Sequence, residues 1–110
     1  MPIERGEVYW VNFDPSLGGE IQKTRPAIVV SNNAANAVLN RLQVVPITSR
    51  TERLYPGEAF IDLNGEKRKA MADQLTTVSK QRLGKKLGTV ISEDMTRVDA
   101  AVILQLALNV

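Results

Sequence analysis

The chain has 110 residues, 44% of them hydrophobic, and carries 14 basic against 12 acidic side chains for a net charge of +2. That length and apolar content fit one folded domain, residues 1–110, and exclude a disordered chain. With no cysteine and no histidine, disulfides, thiolate metal sites, cysteine nucleophiles, the commonest general base and the usual zinc ligand are all excluded. Chemistry here has to run on Arg, Lys, Asp, Glu, Ser, Thr or Tyr. No apolar run approaches the ~20 residues of a membrane span, and the first seven residues do not read as a signal peptide. The expected location is therefore the cytoplasm. The small positive excess permits nucleic-acid binding without arguing for it. A domain of this size buries only about two-thirds of its unfolded surface, so a dimer would hide more.

Glu7 to Phe13 is rich in β-branched and aromatic residues and reads as a first strand. Asp14-Pro15-Ser16-Leu17-Gly18-Gly19 breaks it with loop chemistry. The connector from Asp14 to Thr24 is long for a hairpin, and such connectors often carry function. Arg25 to Ser31 is a second strand, apolar enough to be buried on both faces. Pro26 stands near its start, where a strand tolerates proline. Asn32 to Asn40 suits a short helix capped by Asn32 or Ser31. Leu42 to Thr48 is a third strand, and its internal Pro46 predicts an edge or a bulge.

Glu58 to Leu63 and Lys69 to Asp73 flank Asn64-Gly65, the favoured pair for a tight hairpin turn. The gap after Gly65 looks longer than two residues. Thr77 to Leu83 fits one or two helical turns, and Leu87 to Ile91 a last strand. Ser92-Glu93-Asp94 then opens a helix with a cap and two acids in its first turn. Its apolar stripe is Met95, Val98, Val102 and Leu106. This helix either closes the core or packs on a partner. The sum is a β-rich chain of the α+β kind: a small barrel of five to six strands with short helical inserts and a C-terminal helix.

Several segments, in order, are similar to the MazF/PemK/Kid toxins. Arg5 to Pro15 resembles their opening strand, Gly18 to Ser31 their loop and second strand, and Val45-Pro46-Ile47-Thr48-Ser49 their third. Asp73-Gln74-Leu75, Ser79 to Leu83 and Gly88-Thr89-Val90 match the later segments. The resemblance covers nearly the whole chain. It implies an SH3-like barrel and a homodimer. It also implies cutting of single-stranded RNA at short sequences with no metal or other cofactor, and a cognate MazE-like antitoxin that blocks the site.

Arg25 is the first candidate. Pro26 after it favours an extended backbone, and a guanidinium can grip phosphate with two parallel donors. Attack by a neighbouring 2′-hydroxyl builds charge on the phosphate oxygens, which such a fork stabilises. The matching family arginine is assigned to catalysis, and the bland alternative is a surface ion pair. Thr48 ends the third strand with a hydroxyl that can donate to phosphate. It matches the second catalytic residue of the family; alternatively it bonds its own backbone. Ser49 is the adjacent candidate.

Asp73 matches an aspartate that assists catalysis in the Kid-like branch. That branch has an arginine two positions earlier, where this chain has Met71, and a loop histidine that is missing here. Asp73 is therefore either catalytic or structural. Gln74 can read a base edge or buttress the sheet. In the long loop, Glu20 can pair with Arg25, act as a base or remain solvated, while Lys23 and Thr24 can contact RNA. Lys67-Arg68-Lys69 with Arg50 and Arg53 would supply a modest basic groove or simply a soluble face. One of Tyr9 and Trp10 should face the core.

Two other classes remain open. A CcdB-like gyrase poison shares the barrel but needs no catalytic pair. A non-catalytic nucleic-acid-binding barrel would show more aromatic and basic surface. Metal hydrolases are disfavoured by the missing ligand types.

Overall fold

The computed structural model describes residues 2–109. Seven strands form one antiparallel sheet: β1 (Glu7–Asn12), β2 (Thr24–Val29), β3 (Arg41–Thr48), β4 (Glu58–Leu63), β5 (Glu66–Met71), β6 (Thr76–Ser79) and β7 (Leu83–Thr89). The order is β4-β5-β3-β2-β1-β7, with β6 paired to the first half of β3. Two helices are inserted, α1 (Asn33–Val38) and α2 (Ser92–Gln105).

The β1–β7 pairing shifts register on both sides of Tyr9, and such bulges bend a sheet and raise its twist. The sheet curls until the β4–β5 turn meets β7, where Asn64 Nδ2 donates to the Leu87 carbonyl at 2.9 Å. Gly88 keeps this meeting point close, since a Cβ there would stand 3.0 Å from Asn64 Oδ1 and would push that side chain aside. The edges touch through a side chain rather than a ladder, which leaves a curled half-barrel.

Strand alternation divides the apolar residues between two faces. Val8, Ile28, Val45 and Ile47 point to one, with Ile61, Ala70, Met95, Val98 and Ala101 packed over them. Val11, Ala27, Val29, Leu42 and Val44 point to the other, with Phe13 and Val78. Burial on both faces explains why β2 reads as a continuous apolar run. α2 seals the first face, and its buried Asp94 accepts from the Asp62 amide of β4 at 2.9 Å.

Several local expectations need correction. β3 is a central strand, not an edge: β2 flanks one side, β6 and β5 the other. Val30 N donates to Gln43 O, so alternation makes Ala27–Pro46 a non-hydrogen-bonded pair. The missing Pro46 N–H thus faces the gap where β3 changes partner from β6 to β5. The second hairpin has a two-residue turn after all, with Leu63 opposite Glu66 and positive φ at Asn64 (53°) and Gly65 (84°). β6 occupies part of the segment expected to be helical, leaving only a short 3-10 turn over Lys80–Arg82.

Asn32 caps α1 by accepting from Ala35 N. Ser92 is not the cap of α2; Ile91 holds that position without a side-chain bond. The buried stripe of α2 runs through Met95, Val98 and Ala101, while Leu106 lies beyond the helix and is half exposed. Leu104 on its outer side is 62% exposed, so α2 both closes the core and offers an apolar face outward. No helix among the described residues is long and apolar enough to cross a membrane.

Candidate active site

Arg25 and Thr48 are brought together by sheet register. The β2–β3 ladder ends with Ala27 opposite Pro46, and Arg25 and Thr48 each lie two residues beyond that pair, at the same end of their strands. Residues two apart share a face, so both side chains emerge on the face of Ala27, Val29 and Val44, which α2 does not cover. On the other side of β2, Arg25 pairs with Val11 of β1.

Arg25 is half-buried and its Nε donates to the Gln22 carbonyl at 3.1 Å. No carboxylate forms an ion pair with it among the described residues. The expected alternatives, a surface ion pair and a Glu20 partner, are both absent from this arrangement. Its remaining donors are free to meet an anion. Thr48 Oγ1 accepts from the Arg50 amide at 3.2 Å, which fixes the oxygen at the strand end and leaves its hydroxyl proton for another acceptor. Ser49 beside it is exposed.

Lys69 lies opposite Thr48 on β5 and is almost entirely buried. Its Nζ meets Glu58 Oε1 at 3.0 Å and donates to the Arg53 carbonyl at 2.7 Å, pinning the β3–β4 loop beside Thr48. Of the residues that could form either a basic groove or a soluble face, the run Lys67-Arg68-Lys69 is largely engaged within the chain, while Arg50 and Arg53 stay exposed. Lys69 is consumed internally, Arg68 pairs with Glu66, and Lys67 sits 3.9 Å over the Phe60 ring. The period of two turned the middle cation of the run away from its neighbours.

Beside the Arg25–Thr48 pair, a groove of about 370 Å³ opens under the β1–β2 loop. Glu20, Asp73 and Gln74 line it, whereas Arg25, Thr48, Lys23, Thr24 and Ser49 do not. Gln74 holds the loop down: its Oε1 accepts from Ile21 N at 3.1 Å and its Nε2 donates to Gly19 O at 3.2 Å. The loop also braces itself. Asp14 Oδ1 accepts from Lys23 N, and Glu20 Oε1 accepts from Leu17 N. Lys23 takes a left-handed backbone (φ 68°) that turns the chain into β2. Thr24 is exposed opposite Asn12, and Asp73 presents an exposed carboxylate to the groove.

Arg82 also lines this groove and was not singled out from sequence. Its only prior signal was its place in the segment Ser79 to Leu83. Nearby on β1, Tyr9 Oη donates to Glu7 at 2.8 Å and Lys86 pairs with the same carboxylate. Burial, then the Glu7 bond, pushes the Tyr9 hydroxyl up to about 12. Burial pushes Glu7 up as well, but hydrogen bonds from Lys86, the Glu4 amide and Tyr9 outweigh it and hold the carboxyl below its ordinary value. Trp10, of the opposite parity, is 39% exposed. Among the described residues, no three acidic side chains gather as a metal site would require.

The arrangement thus joins a cation with free donors, a fixed hydroxyl and a polar groove under a tethered loop. The chain as a whole is similar to proteins named for their activity. An endoribonuclease MazF9 of Mycobacterium tuberculosis is 35% identical, covering 96% of this chain and 98% of the relative. An endoribonuclease EndoA of Bacillus subtilis is 32% identical, covering 98% and 97%. The crystal structure of MazF from Deinococcus radiodurans superposes with a TM-score of 0.86 at 27% identity, covering 98% of this chain and 99% of that one. A mycobacterial endoribonuclease in complex with its cognate antitoxin gives 0.82 at 27% identity, covering 98% of each. A family model described as PemK-like, MazF-like toxin of type II toxin-antitoxin system matches residues 4–106. The chain belongs to that family.

Proposed function

We propose that this chain, a single domain acting in the cytoplasm, is a toxin that cuts single-stranded RNA at short sequences without ribosome or metal, with Arg25 and Thr48 as its catalytic residues. The observation that supports the assignment of residues is the β2–β3 register, by which Arg25 and Thr48 each stand two residues beyond the Ala27–Pro46 pair, on the face away from α2. Family membership and two full-length relatives named as endoribonucleases support the activity.

The 2′-hydroxyl gives up its proton as its oxygen attacks the adjacent phosphorus, a bond forms between them, and the bond to the 5′-oxygen breaks. The products are a 2′,3′-cyclic phosphate and a 5′-hydroxyl that has taken up a proton. Arg25 stabilises the charge gathering on the phosphate oxygens, and Thr48 donates its hydroxyl proton as a hydrogen bond to one of them. Asp73 and Glu20 are the carboxylates in the groove and Gln74 holds the loop; Lys23, Thr24 and Ser49, close in sequence to the Arg25–Thr48 pair, are proposed to contact the RNA outside it. The chain acts as a homodimer, and a cognate MazE-like antitoxin blocks the site. The antitoxin complex of a structural neighbour supports that partner. The gyrase-poison reading has no comparable support, since the full-length relatives are named for RNA cleavage.

Purified chain incubated with a long RNA in excess EDTA should give discrete cuts with 2′,3′-cyclic phosphate ends. Arg25→Ala should slow them by about 10²–10³-fold while the chain still folds. Intact RNA after prolonged incubation of the parent chain would refute the activity; unchanged cutting by Arg25→Ala would refute the assignment.

A further inference from the structure

Arg82 is a cation in the groove that the cleavage step does not use. It ends the 3-10 turn after β6, and its Nη1 donates to the Asn12 carbonyl at 3.0 Å and to the Asp14 carbonyl. A guanidinium has five donors. Two carbonyls on Nη1 therefore hold the group in place while Nη2 and Nε keep donors for a ligand. Carbonyls orient the charge but do not neutralise it. No carboxylate forms an ion pair with Arg82 among the described residues.

Arg82 is also the sole cation among the residues described as lining this groove, which include the carboxylates of Glu20 and Asp73. A polyanion entering would be repelled by both acids and attracted at one fixed point. That point is placed relative to Arg25 by β1. Val11 has Arg25 opposite it on β2 and Leu83, the neighbour of Arg82, opposite it on β7. Two strand spacings, about 10 Å, separate those backbone positions.

From this geometry we infer that Arg82 is a second phosphate-binding residue of the site, gripping a backbone phosphate other than the one at which Arg25 acts. The inference rests on the reading of the groove as an RNA path. Arg82 positions the strand and takes no part in bond making.

The test uses equilibrium binding of the full-length chain to a long mixed-sequence 2′-O-methyl RNA, which lacks the attacking hydroxyl, across a salt series. For single strands the slope of log affinity against log salt changes by about 0.7 for each phosphate contact. Arg82→Met and Arg82→Gln should each flatten the slope by about that amount, and Arg82→Lys should restore most of it. A role confined to tethering the Asn12 and Asp14 carbonyls predicts a lower melting temperature in the Met variant with an unchanged slope. That result would overturn the inference, as would a flattened slope in the Lys variant equal to that in Met. If the parent chain itself shows no salt-dependent binding, the RNA path fails, and the inference falls with it.

Discussion

The two faces of the curled sheet are built from adjacent residues of the same strands yet do different work. Ile28 and Val45 point under α2 into a sealed core, while their neighbours Val29 and Val44 point to the face that carries the groove. The sealed face is closed by apolar side chains of the hairpin and α2. The other is buried too, by Phe13, Val78 and the side chains around them, but its margin carries a loop held through backbone groups. Polar contacts of that kind can be exchanged for contacts with a ligand, whereas a packed helix cannot be lifted without exposing its core. Stability and function are thus separated by the one-residue alternation of the strand.

The separation predicts opposite outcomes for substitutions three strand positions apart, on opposite faces. Arg25→Ala should lower the cleavage rate by about 10²–10³-fold, the effect of losing one charge-stabilising donor, with an unchanged melting temperature. Single-turnover assays beside calorimetry would check it, and a large fall in stability would break the division of labour. Ile28→Ala, at a fully buried position, should instead cost about 2–5 kcal/mol of stability, measured by urea denaturation. The fraction that stays folded should cut normally.

The buried Lys69–Glu58 pair lies between the two regimes, being buried yet tied to the loop beside Thr48. Glu58→Gln leaves a buried cation without its counter-charge and should cost about 3–5 kcal/mol. A cost near zero would show that water reaches Lys69.

The Glu7–Tyr9–Lys86 network sharpens the contrast through pH. Tyr9 holds its proton more tightly folded than unfolded, so its contribution is complete below pH 10.0 and fades as pH rises towards about 12. Tyr9→Phe should remove that part of the alkaline loss. Glu7 is shifted the other way, so its contribution is present above its ordinary value of 4.5 and fades as pH falls below it. Glu7→Gln should flatten the acid limb. Melting curves of both variants against pH decide the matter, and superposable profiles would sink the network. The smallest effect is expected for Gln74→Ala. Losing two neutral hydrogen bonds costs about 1–3 kcal/mol at most, and less at an exposed loop. The clear sign should be faster hydrogen exchange at the Ile21 amide with the core amides unchanged.

Much of this was legible in the chain. The apolar run of β2 announces burial on both faces, Asn64-Gly65 announces its turn, and Arg25-Pro26 and Thr48 stand where the family resemblance puts them. What could not be read locally depends on partners far along the chain. Gln74 binds backbone 53 and 55 residues upstream, so nothing near it distinguishes a latch from a base reader. Arg82 is held by a carbonyl 70 residues away. Lys67-Arg68-Lys69 reads as one basic patch because sequence shows charge but not which way each side chain leaves the strand.

The sequence by itself determined the β-rich class, the missing histidine and cysteine chemistry, and the residues available to hold a phosphate. These follow from composition and local pattern. Only the tertiary structure decided that Pro46 sits in a central strand, that Lys69 is spent on Glu58, and that Arg25 and Thr48 lie at the same end of neighbouring strands. The physical reason is register: local propensity makes a strand, but its neighbours on either side set where each donor, charge and side chain finds a partner.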